Sequence, residues 1–170
     1  MGTRTKIMTG VGLAILLIIG IGTIYPGDAI PVVVYGVPDG AGIPIETPLP
    51  PYAYLSDGFL RVEISDQSPL YPGYGKGLSK DSVYTFNRIF TVENNESETG
   101  FPVICVLISS NSENIGFFES NFSGNWSSEL RVEIQANQSV DVGMRFDTHG
   151  LELGDYETSI VITAQGGGCE

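Results

Sequence analysis

The residues able to do chemistry are few. The chain holds one histidine, His149, and two cysteines, Cys105 and Cys169, with no CxxC pair. A zinc site of Cys and His ligands, an HExxH helix or a cysteine–imidazole nucleophile pair cannot be assembled from that set. His149 stands in Asp147-Thr148-His149-Gly150, which reads as a turn. Asp147, Glu152 and Asp155 offer the oxygen ligands calcium takes, but without the spacing of a calcium loop. No serine lies in a GxSxG context, and no carboxylates are recognisably paired for glycoside hydrolysis. The GYGKG run at 73–77 lacks the Walker spacing and the helix that a phosphate loop needs. The expectation is a chain with no catalytic residues, no metal and no cofactor.

Two covalent chemistries are left. Four Asn-x-Ser sequons stand at Asn95, Asn121, Asn125 and Asn137, each in a turn between strand-like runs, where a glycan can be accommodated. Cys105 lies within an apolar run and Cys169 follows Gly166-Gly167-Gly168 at the C-terminus. In an oxidising compartment the two could pair within one subunit or between subunits. The plainer alternative is a buried, inert Cys105 and a free terminal thiol.

The elements that position these residues are strands. The best defined is Val83–Asn95, in which Tyr84, Phe86, Phe90 and Val92 fall on one side and Thr85, Asn87, Thr91 and Glu93 on the other. It is expected in the middle of an all-β core. Arg88 interrupts it, predicting a β-bulge or an arginine whose stem is covered while its head reaches water. Asn94-Asn95 end it. Further strands are expected at Phe59–Ile64, Pro102–Ser110, Ile115–Glu119, Leu130–Ile134, Val140–Phe146 and Tyr156–Ala164. Pro102–Ser110 is apolar on both faces, as for a doubly covered strand. Leu153-Gly154-Asp155-Tyr156 resembles the corner before a late strand of immunoglobulin-like sandwiches. The 22 Gly and 10 Pro supply turns at β-protein density, and 42% hydrophobic residues suffice for a core. The expected domain, residues 52–170, is an all-β, immunoglobulin-like or jelly-roll β-sandwich. A formal charge of -12 argues against nucleic acid, whose phosphates require clustered Lys and Arg.

Ahead of that domain, Arg4 and Lys6 precede an uncharged apolar run, Ile7–Ile24, broken by Pro26. Gly27-Asp28-Ala29 places small residues where a signal peptidase reads. Residues 1–29 therefore read as a signal peptide, with a retained membrane anchor as the alternative; in both cases the remainder lies outside the cell. Residues 30–37 (IPVVVYGV) are a β-prone run whose Ile30, Val32, Val33, Val34 and Tyr35 need cover. Residues 38–51 are a Pro/Gly linker, semi-rigid and extended. On the loop at 68–80, Tyr71 and Tyr74 read as contact residues or loop filler.

Taken together, GLSKDSVYTFNRIFTVENNE, SNSENIGFF, the W-S-S turn, IQANQSVDVGMRFDTHG and LxLGDYxTxIxIxA resemble the camelysin/TasA-type family of secreted biofilm-fibre proteins. They resemble still more its relatives among archaeal surface and bundling-pilus proteins, over roughly Phe59–Ala164. The resemblance implies a jelly-roll-like sandwich that polymerises head-to-tail by donor-strand exchange, with filament-to-filament bundling as a further capacity. Family members have also been called metalloproteases, for which this chain has no ligand set. The long linker and the terminal cysteine depart from the pattern. They leave open whether the N-terminal strand donates or folds onto its own domain. The expected function is a structural subunit of an extracellular filament, a pilus or biofilm fibre whose partner is itself and whose donor strand is Ile30–Val37. The competing expectation is a monomeric, membrane-tethered surface-binding or surface-layer module.

Overall fold

A computed structural model of the chain describes residues 14–19, 33–35, 52–56, 59–69 and 76–170. Ile30, Val32, most of the 1–29 segment, the 38–51 linker, Tyr71 and Tyr74 lie outside the described residues. Those described form ten strands and one short helix: β1 (Ala14–Ile19), β2 (Val33–Tyr35), β3 (Ala53–Ser56), β4 (Phe59–Ile64), β5 (Val83–Glu93), α1 (Glu96–Thr99), β6 (Val103–Ser110), β7 (Ile115–Glu119), β8 (Glu129–Gln135), β9 (Ser139–Asp147) and β10 (Asp155–Gly166). They make a six-stranded sheet, β3-β4-β1-β10-β6-β8, and a four-stranded sheet, β2-β5-β9-β7.

One core cluster lies between the sheets. Val62, Ile104, Val106, Ile108 and Ile160 come from the larger sheet, and Phe90, Phe117, Val142, Met144 and Phe146 from the smaller. Each set occupies alternate positions along its strand, because successive side chains on an extended chain point to opposite faces. The alternation expected for Phe59–Ile64 and Val140–Phe146 is present, with Val140 half-buried and the remaining inward residues of both runs buried. The molecule is an all-β sandwich.

The long β5 carries the expected irregularity. Phe86 faces Met144 and Phe90 faces Val142, so four steps on β5 oppose two on β9. Two extra residues preserve the side-chain parity, which is why Phe86 and Phe90 stay on the core side of the break. Arg88 takes the left-handed conformation there, φ 57°, and its guanidinium lies 3.6 Å from Asp141. β5 lies inside the smaller sheet, paired along most of its length with β9 and on its other side, among the described residues, with the three-residue β2.

Asn94 ends β5 fully buried, with no exposed surface. Its amide nitrogen donates to the carbonyls of Phe101 and Ile134, both at 3.2 Å, and its oxygen accepts from the Thr99 hydroxyl at 2.7 Å. Asn95 caps α1, its Oδ1 accepting from the Ser97 amide, and Gly100 closes the helix in the left-handed region. At the start of β10, the Tyr156 hydroxyl donates to the Glu152 carbonyl at 3.0 Å, the hydrogen bond of a tyrosine corner.

Candidate functional site

β1 is the element around which a site can be built. Its six residues belong to the apolar run before Pro26, and they lie inside the larger sheet rather than at its edge. β1 runs antiparallel to β4, pairing Ile15 with Ile64, Leu17 with Val62 and Ile19 with Leu60. On its other side it runs parallel to β10, pairing Leu17 with Thr158 and Ile19 with Ile160. The uninterrupted apolar run has no period of two that would mark it as a strand in the sequence. β4 and β10 do not pair with each other; they are joined only through the strand between them. The walls of this slot are apolar on the core side, where Leu60, Val62, Ile64, Ile160 and Ile162 are all buried. Sequence reasoning placed these residues in strands but had no signal for which strands neighbour each other.

The segment expected to donate lies elsewhere. Val33, Val34 and Tyr35 form β2, which pairs with the outer edge of β5 in the same chain, Val34 opposite Val92. No described helix is long and apolar enough to cross a membrane. Cys105 and Cys169 form a disulfide within the chain. Cys105 alternates with the core residues Ile104 and Val106, so it faces away from the core, yet it is buried. The C-terminal segment folds back over β6 to reach it. Gly167, at φ 104° and hydrogen-bonded to the Val103 carbonyl, makes that reversal.

The four sequon asparagines all lie in segments between strands. Asn121, Asn125 and Asn137 are exposed and Asn95 is half-buried. The cap formed by Asn95 uses its oxygen and not the amide nitrogen a glycan would occupy. Asn121 and Asn125 share one segment, residues 120–127, that crosses the outer face of the smaller sheet. It is fastened by the Phe122 amide donating to Asn87 Oδ1 at 3.0 Å and by Ser127 pairing with Phe117. Phe122 meets Phe118 edge-on at 5.0 Å, and Trp126 lies on Gly116, where a Cβ would collide with the indole. The Arg145 guanidinium stacks 4.3 Å from the Trp126 ring. Arg145 in turn donates to Asp147 at 2.8 Å, and His149 approaches the other carboxylate oxygen at 2.7 Å. The hydrogen bond from the His149 side chain, then that from its backbone N–H, then Arg145, lower the Asp147 pKa to about 2. His149 is thus a turn residue tied to one carboxylate. Among the described residues no group of His, Cys, Asp or Glu could hold a metal ion.

An all-β sandwich with an N-terminal strand held in mid-sheet is the class these features define. A family described as protein of unknown function (DUF1102) matches residues 39–169, and the chain belongs to that family. No curated protein matches the chain.

Proposed function

We propose that this protein is a structural subunit of an extracellular filament and that its subunits join head-to-tail through strand complementation. The carrying observation is the position of β1, in mid-sheet between β4 and β10, drawn from a segment that precedes the expected cleavage after Ala29. Removing residues 1–29 takes β1 away and leaves two facing rows of unpaired backbone groups above an apolar floor. Such an opening must be refilled, because unpaired ladder groups and uncovered core are both costly. The same cleavage frees Ile30–Val37, an apolar run of strand length joined to the domain by a Pro/Gly linker. In this proposal it enters the β4/β10 slot of the next subunit. Strand addition of this kind supplies main-chain hydrogen bonds and buries alternate side chains. Burial of Ile30, Val32 and Val34 at ~1.5–3 kcal/mol each gives a gross gain of ~5–9 kcal/mol before the cost of association. Ladder hydrogen bonds and contacts between domains supply the rest. The contact is heterologous, so it grows an open polymer and not a closed dimer. The protein carries no catalytic role in this reading. It acts at the cell surface, and membrane contact is confined to the leader before processing.

A second reading rests on β2. Val33–Tyr35 pair with β5 of their own chain, as they would in a monomeric, tethered surface module. One experiment separates the two. A chain starting at Ile30 should form filaments visible by negative-stain microscopy, and Val32→Asp should leave it folded but without filaments. Gly42→Ser, in the linker, should be tolerated. Filaments from Val32→Asp, or from a chain starting at Gly36, would rule out assembly through this strand; a folded monomer from the Ile30 chain would favour the second reading.

A further inference from the structure

An open cleft of about 280 Å³ lies beside the 120–127 segment, lined by Ser110, Asn111, Ser112, Glu113, Trp126 and Ser128. Among the described residues that line it, none is aliphatic. It offers one aromatic plate and, around that plate, hydroxyl, amide and carboxylate groups. The plate is fixed before any ligand arrives. Gly116 and Arg145 are cross-strand neighbours on the outer surface of the smaller sheet, and both lie against the indole, so they cover its sheet side. Trp126 stays 42% exposed and lines the cleft. A tryptophan left this open, yet immobilised by a glycine and a stacked arginine, is a prepared contact surface and not part of the core.

We infer that this cleft is a binding site for a neutral pyranose ring. Such a ring is amphipathic. Its axial C–H bonds give one face apolar character that suits an aromatic plate, while its equatorial hydroxyls demand donors and acceptors around the rim. Asn111 supplies both kinds, and the serines act either way. The Glu113 carboxylate accepts from two adjacent hydroxyls, a charge-assisted arrangement that holds an uncharged sugar. The same carboxylate, on a chain of net charge -12, repels uronic acids and sulfated sugars. The volume of about 280 Å³ has room for one or two sugar rings. Two sources supply such rings: a glycan on this protein, whose Asn121 and Asn125 sequons stand on the adjoining segment, or a polysaccharide from outside. The inference does not depend on strand exchange and would survive its failure.

Trp126 is the sole tryptophan of the chain, so its emission reports on this cleft alone. The full chain made without glycans would be titrated with methyl glucoside, methyl galactoside, methyl mannoside and N-acetylglucosamine, with glucuronate as the anionic control. At least one neutral sugar should shift the emission saturably with a Kd on the order of 1 mM, and glucuronate should bind at least ~10-fold more weakly. Asn111→Ala should weaken binding ~10-fold, and Trp126→Ala should abolish the saturation-transfer NMR signal of the sugar. No saturable response to any neutral sugar, equal binding of glucuronate, or NMR transfer that persists in Trp126→Ala would each overturn the inference. The glycosylated native protein then gives the source. A response seen only after the glycans are enzymatically removed identifies the protein's own glycan as occupant, and a response without removal identifies an external polysaccharide.

Discussion

Single residues at turns, more than the core, hold the ends of the strands in place. Asp147 accepts from the His149 side chain, from the His149 backbone N–H at 3.1 Å and from Arg145, which depresses its pKa to about 2. An aspartate ionises near 3.9 in the unfolded chain, so the folded state binds this proton less readily. Its contribution to stability is therefore fully present above about pH 4 and is lost as pH falls through about 2. Asp147→Asn should flatten that part of the acid-unfolding profile and cost ~1–2 kcal/mol at pH 7, as seen by urea denaturation at both pH values. Asn94 is the other such residue. Asn94→Asp keeps the shape but puts a carboxylate against the Phe101 and Ile134 carbonyls, where the amide nitrogen had been donating. We expect a loss of ~2–4 kcal/mol, with melting as the measure.

At the scale of elements, two devices shape the sheets. The bulge in β5 adds two residues and so keeps Phe86 and Phe90 on one side, while turning Arg88 to meet Asp141. The disulfide closes a loop with a sequence separation of 64 and pins the segment after β10 onto β6. Cys169→Ser should lower stability by up to about 4 kcal/mol on chain-entropy grounds, measured by thermal unfolding with and without reductant; a change under about 1 kcal/mol would mean that the reduced chain is already constrained. These elements were legible in the sequence to different degrees, for physical reasons. Phe59–Ile64 and Val140–Phe146 alternate apolar residues with polar ones or glycine, so their faces were readable. The place of Ala14–Ile19 was not, because a continuous apolar run has no alternation and shares its composition with a leader or an anchor. Ala53–Ser56 is too short to carry a pattern. The bulge was signalled by an arginine on an apolar face. The slot was not signalled at all, since sheet order is a property of chain-distant pairings such as β1 with β10.

For the whole molecule, the slot makes the state of the N-terminus a matter of global stability. Without β1 the β3–β4 hairpin has no ladder connecting it to β10. In the chain starting at Ile30, kept monomeric by Val32→Asp, amide exchange along β4 and β10 should run at least ~10-fold faster than in the full chain. Equal protection would mean that the two strands close directly on each other. The direction of β1 has a mechanical consequence as well. It lies parallel to β10 and antiparallel to β4, with both neighbours paired along nearly its whole length. A segment held in that way and pulled along its axis loads its hydrogen bonds together, in shear, whereas a strand peeled from an edge breaks them one after another. The far end of β10 leads into the crosslink to β6, so tension taken up by β10 passes into a third strand through a covalent bond. In a fibre assembled through this slot, each joint would resist stretching far better than its modest buried area suggests, and reductant would weaken its grip under tension.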